Sequence, residues 1–336
     1  AELPRRATFL CAAPFDIALH DAYGHATDSP IYGAYSAHML THDLSWYFGS
    51  TDSRFKDKYP GDYVSHPVPD RLPVWHLVGC GDTVTETTAQ SSEVVGARPR
   101  SLRGWVEQDG LTRFKIKMCG SSLDWDYRRV LEVGTVAEDT PSSLLSLDFN
   151  GTAPDASYVT SILSKLSRDA PSTYDRISYV EQPFSPEQPL PPSALTEVSA
   201  LKPVFVDEGA TGWEETREAY AAGYAGVALK TCKTQTAAIL SACWARENGM
   251  QVSVQDLTNP MLAQIPHVLL AAHFSPELGV ESNSMQFCPE ASRAEARVHP
   301  YLYDRRDGML CLSTIGGPGF GYRIEEIRRE LPECVA

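Results

Sequence analysis

Residues 177–230 read ISYVEQPFSPEQPLPPSALTEVSALKPVFVDEGATGWEETREAYAAGYAGVALK, and three short runs within them decide the class of fold. ISYVEQP (177–183), PVFVDEG (203–209) and AGVALK (225–230) are each apolar before they close on a charged or amide residue. Such runs suit strands buried on both faces, where polar alternation is not needed. Between the second and third lies WEETREAYAAG, with apolar residues at helical spacing. Strand, helix and strand in succession imply parallel pairing, because the helix is the crossover that parallel neighbours require.

The alternation extends in both directions. Leu72–Val78, RFKIKM (113–118), LLSLDFN (144–150), VSVQD (252–256) and GVESNS (279–284) bring the expected strands to eight. WDYRRVLEVG, ASYVTSILSKLS, TQTAAILSACWARENG and residues 259–273 supply helical patterns between them. Eight parallel strands favour a closed α/β barrel, with an open doubly wound sheet as the alternative. Upstream, residues 12–28 read as an amphipathic helix that stops at the Ser-Pro of SPIYG, and 50–72 as a long irregular connection.

Composition narrows the partners. The 336 residues are 43% hydrophobic and 21% charged, with no apolar run of membrane-spanning length. A net charge of −14 without a basic stripe argues against nucleic acid and for a small-molecule substrate. Cys11, Cys80, Cys119, Cys232, Cys243, Cys288, Cys311 and Cys334 form no C-x-x-C pair, so they are expected to be reduced and mostly buried. The opening AELPRRATF has no leader pattern, and a cytoplasmic location is expected. Asn150-Gly151-Thr152 matches the short glycosylation pattern without a secreted context to support it.

In a parallel barrel, chemistry gathers where strands end. Those ends read Lys115 and Lys117; Asp148 and Asn150; Glu181; Asp207 and Glu208; Lys230; Asp256; Glu281 and Asn283. Residues two apart share a face, so both lysines of the second strand can reach the mouth. Asp148, Glu181 and Asp207 close three successive strands. One such acid alone reads as an exposed loop carboxylate, but three converging repel one another unless a cation neutralises them. All-oxygen donors without His or Cys point to magnesium, with manganese second. A protonated lysine is no base, but a neighbouring cation lowers its pKa, which Lys115 and a metal would do for Lys117. Asp256 either orients Lys230 or caps a loop, the loop being preferred. His76, His267 and Trp75 are expected to be structural.

In this order the strand ends resemble the enolase superfamily, in its mandelate racemase/muconate-lactonizing-enzyme-like group. The resemblance implies a modified TIM barrel of the (β/α)7β type with a partial cap domain. Residues 1–70 would be the cap part, 71–300 the barrel and 301–336 a segment returning to the cap, carrying IGGPGFGY up to Gly321. It implies Lys117 as general base, Lys115 as its electrostatic partner, and Asp148, Glu181 and Asp207 as Mg2+ ligands. Lys230 would be the opposing acid or base, with Asn150, Glu208, Asp256, Glu281 and Asn283 around the metal or substrate. The expected reaction is removal of the proton α to a carboxylate through an enediolate, most readily racemisation or epimerisation of an amino-acid-like or hydroxy-carboxylic acid. A lyase or cycloisomerase sharing that half-reaction, and a non-catalytic metal-binding barrel, are the alternatives. Glu281-Ser282-Asn283 stands where dipeptide epimerases carry Asp-x-Asp, which argues against that activity. A homo-oligomer is also implied.

Overall fold

The computed structural model describes residues 5–49, 52–85, 98–188, 191 and 193–329, so Cys334 and the end of the expected returning segment lie outside the described residues. Eight strands form the barrel: β1 (Arg71–Val78), β2 (Arg113–Lys117), β3 (Leu144–Asp148), β4 (Ile177–Glu181), β5 (Val204–Val206), β6 (Gly226–Leu229), β7 (Gln251–Val254) and β8 (Val280–Glu281). All pair in parallel with their sequence neighbours, and β1 pairs with both β2 and β8, which closes the ring. The open sheet is thereby excluded. A ninth strand, β9 (Met309–Cys311), lies antiparallel on the start of β1 through Leu72↔Leu310. Three residues give too little pattern to mark it in the sequence.

Several strands are shorter than their apolar runs. The chain leaves the ladder where Asn150 and Gln182 take positive φ (47° and 32°), a turn conformation that ends regular pairing. Inside the barrel Trp75, Tyr179 and Phe205 form the floor beneath the strand ends. Tyr179 and Phe205 stack with centroids 4.2 Å apart, and the Trp75 indole donates to Leu278 O (2.7 Å). Gly226 leaves room for this layer, since a Cβ there would lie 2.4 Å from the Phe205 ring. Outside, apolar faces of the crossover helices cover the strands, and Ser101, Ser122 and Asp155 cap three of these helices through side-chain oxygens.

The first helix runs from Arg5 to Ala26, beginning earlier than the expected 12–28 and continuing through Pro14. It is fastened to the barrel by Asp16, which accepts from the N–H (2.9 Å) and hydroxyl (2.7 Å) of Thr236. The glycine-rich segment returns to this helix: Ile31 N donates to Gly319 O, Gly319 N to Ser29 O and Phe320 N to Asp21 Oδ1. The approach is close, because a Cβ on Gly24 would sit 2.5 Å from Gly319 Cα. The cysteines depart from expectation. They are free, but only Cys243 is buried among those described; Cys11 and Cys80 are exposed and Cys119, Cys232, Cys288 and Cys311 half-buried. Cys11 lies on the first helix, Cys80, Cys119 and Cys232 follow the strand ends, and Cys311 closes the edge strand β9, all positions outside the inward apolar rows. No helix among the described residues is long and apolar enough to cross a membrane.

Candidate active site

Strand register determines which side chains meet at the mouth. Lys117 lies opposite Asp148, and Asp148 opposite Glu181. Glu181 pairs with Phe205, so Asp207 follows two residues on, along the same face. Val254 pairs with Val280, which sets Gln255 beside Glu281. Lys230 directly follows β6.

The Lys115 ammonium, 2% exposed, is the hub. It donates to Glu181 Oε1 (2.7 Å), Glu281 Oε2 (3.0 Å) and Gln255 Oε1, and stands 3.1 Å from Asp148 Oδ2. Lys117 Nζ donates to Asp148 Oδ2 (2.5 Å) and Asn150 Oδ1 (2.8 Å), and the Asn150 amide donates to Glu208 Oε1 (3.1 Å). From the other wall Lys230 Nζ donates to Asp207 Oδ2 (2.6 Å). Asn283 Nδ2 donates to Glu281 Oε1 (2.8 Å). Eight of the eleven residues singled out in the sequence are thus joined through Lys115 and Lys117, and Lys230 with Asp207 forms a separate pair on the facing wall. Asp256 stands apart from the lysines. Its oxygens accept the N–H groups of Asn259 (2.8 Å) and Asn283 (2.6 Å), clamping the loop after β7. His267 is buried with Nε2 against Glu281 O (2.7 Å), a structural contact.

Three participants were not singled out. Gln255 bridges the hub, its amide N–H also reaching Glu181 Oε2 (2.5 Å). Strand parity could have found it: Ser253 and Gln255 share the inward face of β7, and Asp256 lies on the other. Lys233 Nζ donates to Asp207 Oδ1 (3.1 Å) and to the carbonyls of Asp207 (2.8 Å) and Ala210 (2.7 Å). Gln182 accepts the N–H groups of Asp207 and Gly209 (both 3.0 Å), bracing the loop that presents Asp207. No local pattern marks these last two contacts, which cross from one strand end to the next.

Burial opposes every charge here, and neighbours decide the outcome. Burial raises the Asp148 and Asp207 carboxyls, but Lys115 and Lys117 pull the first below its usual range and Lys230 and Lys233 pull the second far below. Glu181 is pushed up to about 8 by burial and the nearby Asp148 charge, against the pull of Lys115. Burial would lower Lys115, yet Asp148, Glu181 and Glu281 raise it well above the ordinary lysine value. Lys115 is therefore a held cation beside Lys117. Lys230 is raised in the same way by Asp207.

Among the described residues no three Asp, Glu, His or Cys side chains close around one point as a bound ion requires. Ammonium groups stand between the acids instead. The donor chemistry nevertheless fits a hard divalent cation: three buried carboxylates on β3, β4 and just past β5, with oxygen ligands alone. Glu181, raised first by burial and then by the Asp148 charge, is the carboxylate a cation would return to its charged form.

A family model described as enolase C-terminal domain-like matches residues 98–328, more than half of the chain. The chain belongs to the enolase superfamily. Solved structures agree on the fold of this superfamily member. A mandelate racemase/muconate lactonizing protein from Herpetosiphon aurantiacus is 19% identical with a TM-score of 0.57, over 76% of this chain and 64% of that one. An N-succinyl Arg/Lys racemase from Bacillus cereus is 16% identical with a TM-score of 0.60, over 91% and 67%. A muconate cycloisomerase from Pseudomonas fluorescens is 18% identical with a TM-score of 0.58, over 93% and 73%. The chain therefore spans less than two thirds of the Herpetosiphon protein. No curated protein matches its sequence.

Proposed function

We propose that this protein is a magnesium-dependent enzyme, with manganese as the substitute ion, that removes the proton α to a carboxylate. The observation that carries the proposal is the opposition of two lysines. In the closed order β2-β3-β4-β5-β6-β7-β8-β1, strands β2 and β6 are four apart, so Lys117 and Lys230 approach the acids from facing walls. Asp148, Glu181 and Asp207 would hold the cation, which supplies the positive charge that stabilises an enediolate.

The chain's own residues supply the rest. Lys117 Nζ takes the α-proton, and Lys115 keeps a fixed positive charge next to it, which favours the negative charge that develops on the substrate. Lys230 returns the proton on the other face, which gives racemisation or epimerisation of an amino-acid-like or hydroxy-carboxylic acid. Asn150 and Glu208 orient Lys117, and Glu281 and Asn283 border the substrate side. Asp256 acts only through the Asn259 and Asn283 backbones. A second reading, a lyase or cycloisomerase, is favoured by the 2.6 Å contact of Lys230 with Asp207, which suits a standing cation better than a second base.

Exchange of α-protons with deuterated solvent, over N-acyl amino acids and 2-hydroxy acids of both hands with magnesium present, tests this. The expected result is exchange of both enantiomers, lost for one in Lys117→Ala and for the other in Lys230→Ala. A product lacking a β-substituent selects the second reading. Absence of exchange across the panel refutes both.

A further inference from the structure

On the outer side of β1 lies a cavity of about 230 Å3, lined by His76, Asp82, Arg98, Arg100, Trp105 and Gln286 among others. No member of the lysine–carboxylate network lines it. Trp75 faces the barrel interior, so His76 faces outward, toward the Trp105 ring 5.5 Å away.

The hydrogen bonds around His76 determine where its proton sits. Arg305 NH1 lies 3.0 Å from His76 Nδ1. A guanidinium only donates, so Nδ1 is the bare nitrogen. Asp109 holds the guanidinium there, accepting from Arg305 Nε at 2.8 Å. Burial and the Arg305 charge both keep the imidazole neutral, so its single proton is on Nε2. The group facing Nε2 is Gln286 Nε2 at 3.4 Å, which is also a donor. That amide cannot turn over, because its Nε2 donates to Leu77 O (3.0 Å) and its Oε1 accepts from Leu77 N (3.4 Å). Two donors therefore face each other. A histidine 2% exposed is left with an N–H at the cavity wall that Gln286 cannot satisfy.

We infer that this cavity binds a small oxyanion, a carboxylate or a phosphate, which accepts from His76 Nε2–H and pairs with Arg98 and Arg100. In a chain of net charge −14, a wall with two arginines and one acid is a local reversal of sign. The acid, Asp82, already accepts the Gly79 N–H through Oδ2 (2.7 Å). Arg98 is steadied by its bond to Gln286 O (3.0 Å). The volume equals that of several waters at about 30 Å3 each, enough for such an anion.

The test is 15N NMR of the full chain labelled at histidine, the His76 signal being identified with His76→Gln. Inorganic phosphate and acetate are titrated at constant ionic strength without magnesium. The expected result is a neutral His76 protonated on Nε2, with a saturable shift of that nitrogen. Arg98→Ala combined with Arg100→Ala, both exposed positions, should weaken the apparent Kd at least tenfold. Lys117→Ala should leave it unchanged. Tighter phosphate identifies a phosphoryl ligand and tighter acetate a carboxylate. A proton on Nδ1, no saturable shift, or a shift lost in Lys117→Ala but kept without the arginines overturns the inference.

Discussion

Replacing Lys115 by Met removes the ammonium that Asp148, Glu181 and Glu281 share at 2.7–3.1 Å while nearly preserving volume. The acids are 0%, 0% and 2% exposed, so water cannot stand in for the lost charge. Removing one partner of a buried ion pair costs about 3–5 kcal/mol, and the hub position argues for the upper half of that range. Urea unfolding in the presence of a chelator should therefore show Lys115→Met less stable by about 4 kcal/mol. Magnesium at about a hundred times its Kd adds about 2.7 kcal/mol by mass action. The gain should be larger in the variant, where no ammonium competes for the same oxygens, so the gap narrows. Solvent exchange of the α-proton should fall by about a hundredfold or more even when the metal site is filled. A loss of under about 1 kcal/mol in chelator would show that Lys115 does not offset the acids. Smaller magnesium stabilisation in the variant than in the parent would show that these acids are not the cation site.

Gly226→Ala puts a methyl group against the Phe205 ring, and overpacking of this kind should lower stability by about 1–3 kcal/mol in urea titrations. His273, stacked on Tyr32 with centroids 3.7 Å apart, has its pKa lowered by burial to about 4. Because the unfolded histidine binds its proton near pH 6.5, stability is lost as pH falls from about 6.5 toward 4. His273→Phe should keep the stack and remove about 2 kcal/mol of the difference between pH 7 and pH 4.5; an unchanged difference would refute that assignment. Asp256→Asn should leave the pH profile of turnover in place and lower stability by about 1–2 kcal/mol, since its oxygens hold only backbone N–H groups. A shifted profile would instead tie Asp256 to Lys230.

The closed barrel was legible because strands covered on both faces must be apolar and helical crossovers must separate parallel neighbours. The charged closures at Lys117, Asp148, Glu181, Asp207 and Lys230 stood out against those runs, and they do share the mouth. Gln255 escaped notice because an amide beside an acid draws less attention than the acid itself, although side-chain parity favours position 255 over 256. β9 escaped because its three residues pair only with a strand more than two hundred residues earlier.

The sequence by itself determined the layered architecture and the inventory of charges, since both follow from local periodicity and from which residue types close each run. Tertiary structure alone decided how those charges are partnered. Lys115 became the shared hub, Lys230 and Lys233 converged on Asp207, and Asp256 turned to its loop. Those outcomes depend on strand register and on distances of about 3 Å between residues far apart in the chain, and electrostatic energy varies too steeply over that range for spacing along a sequence to specify it.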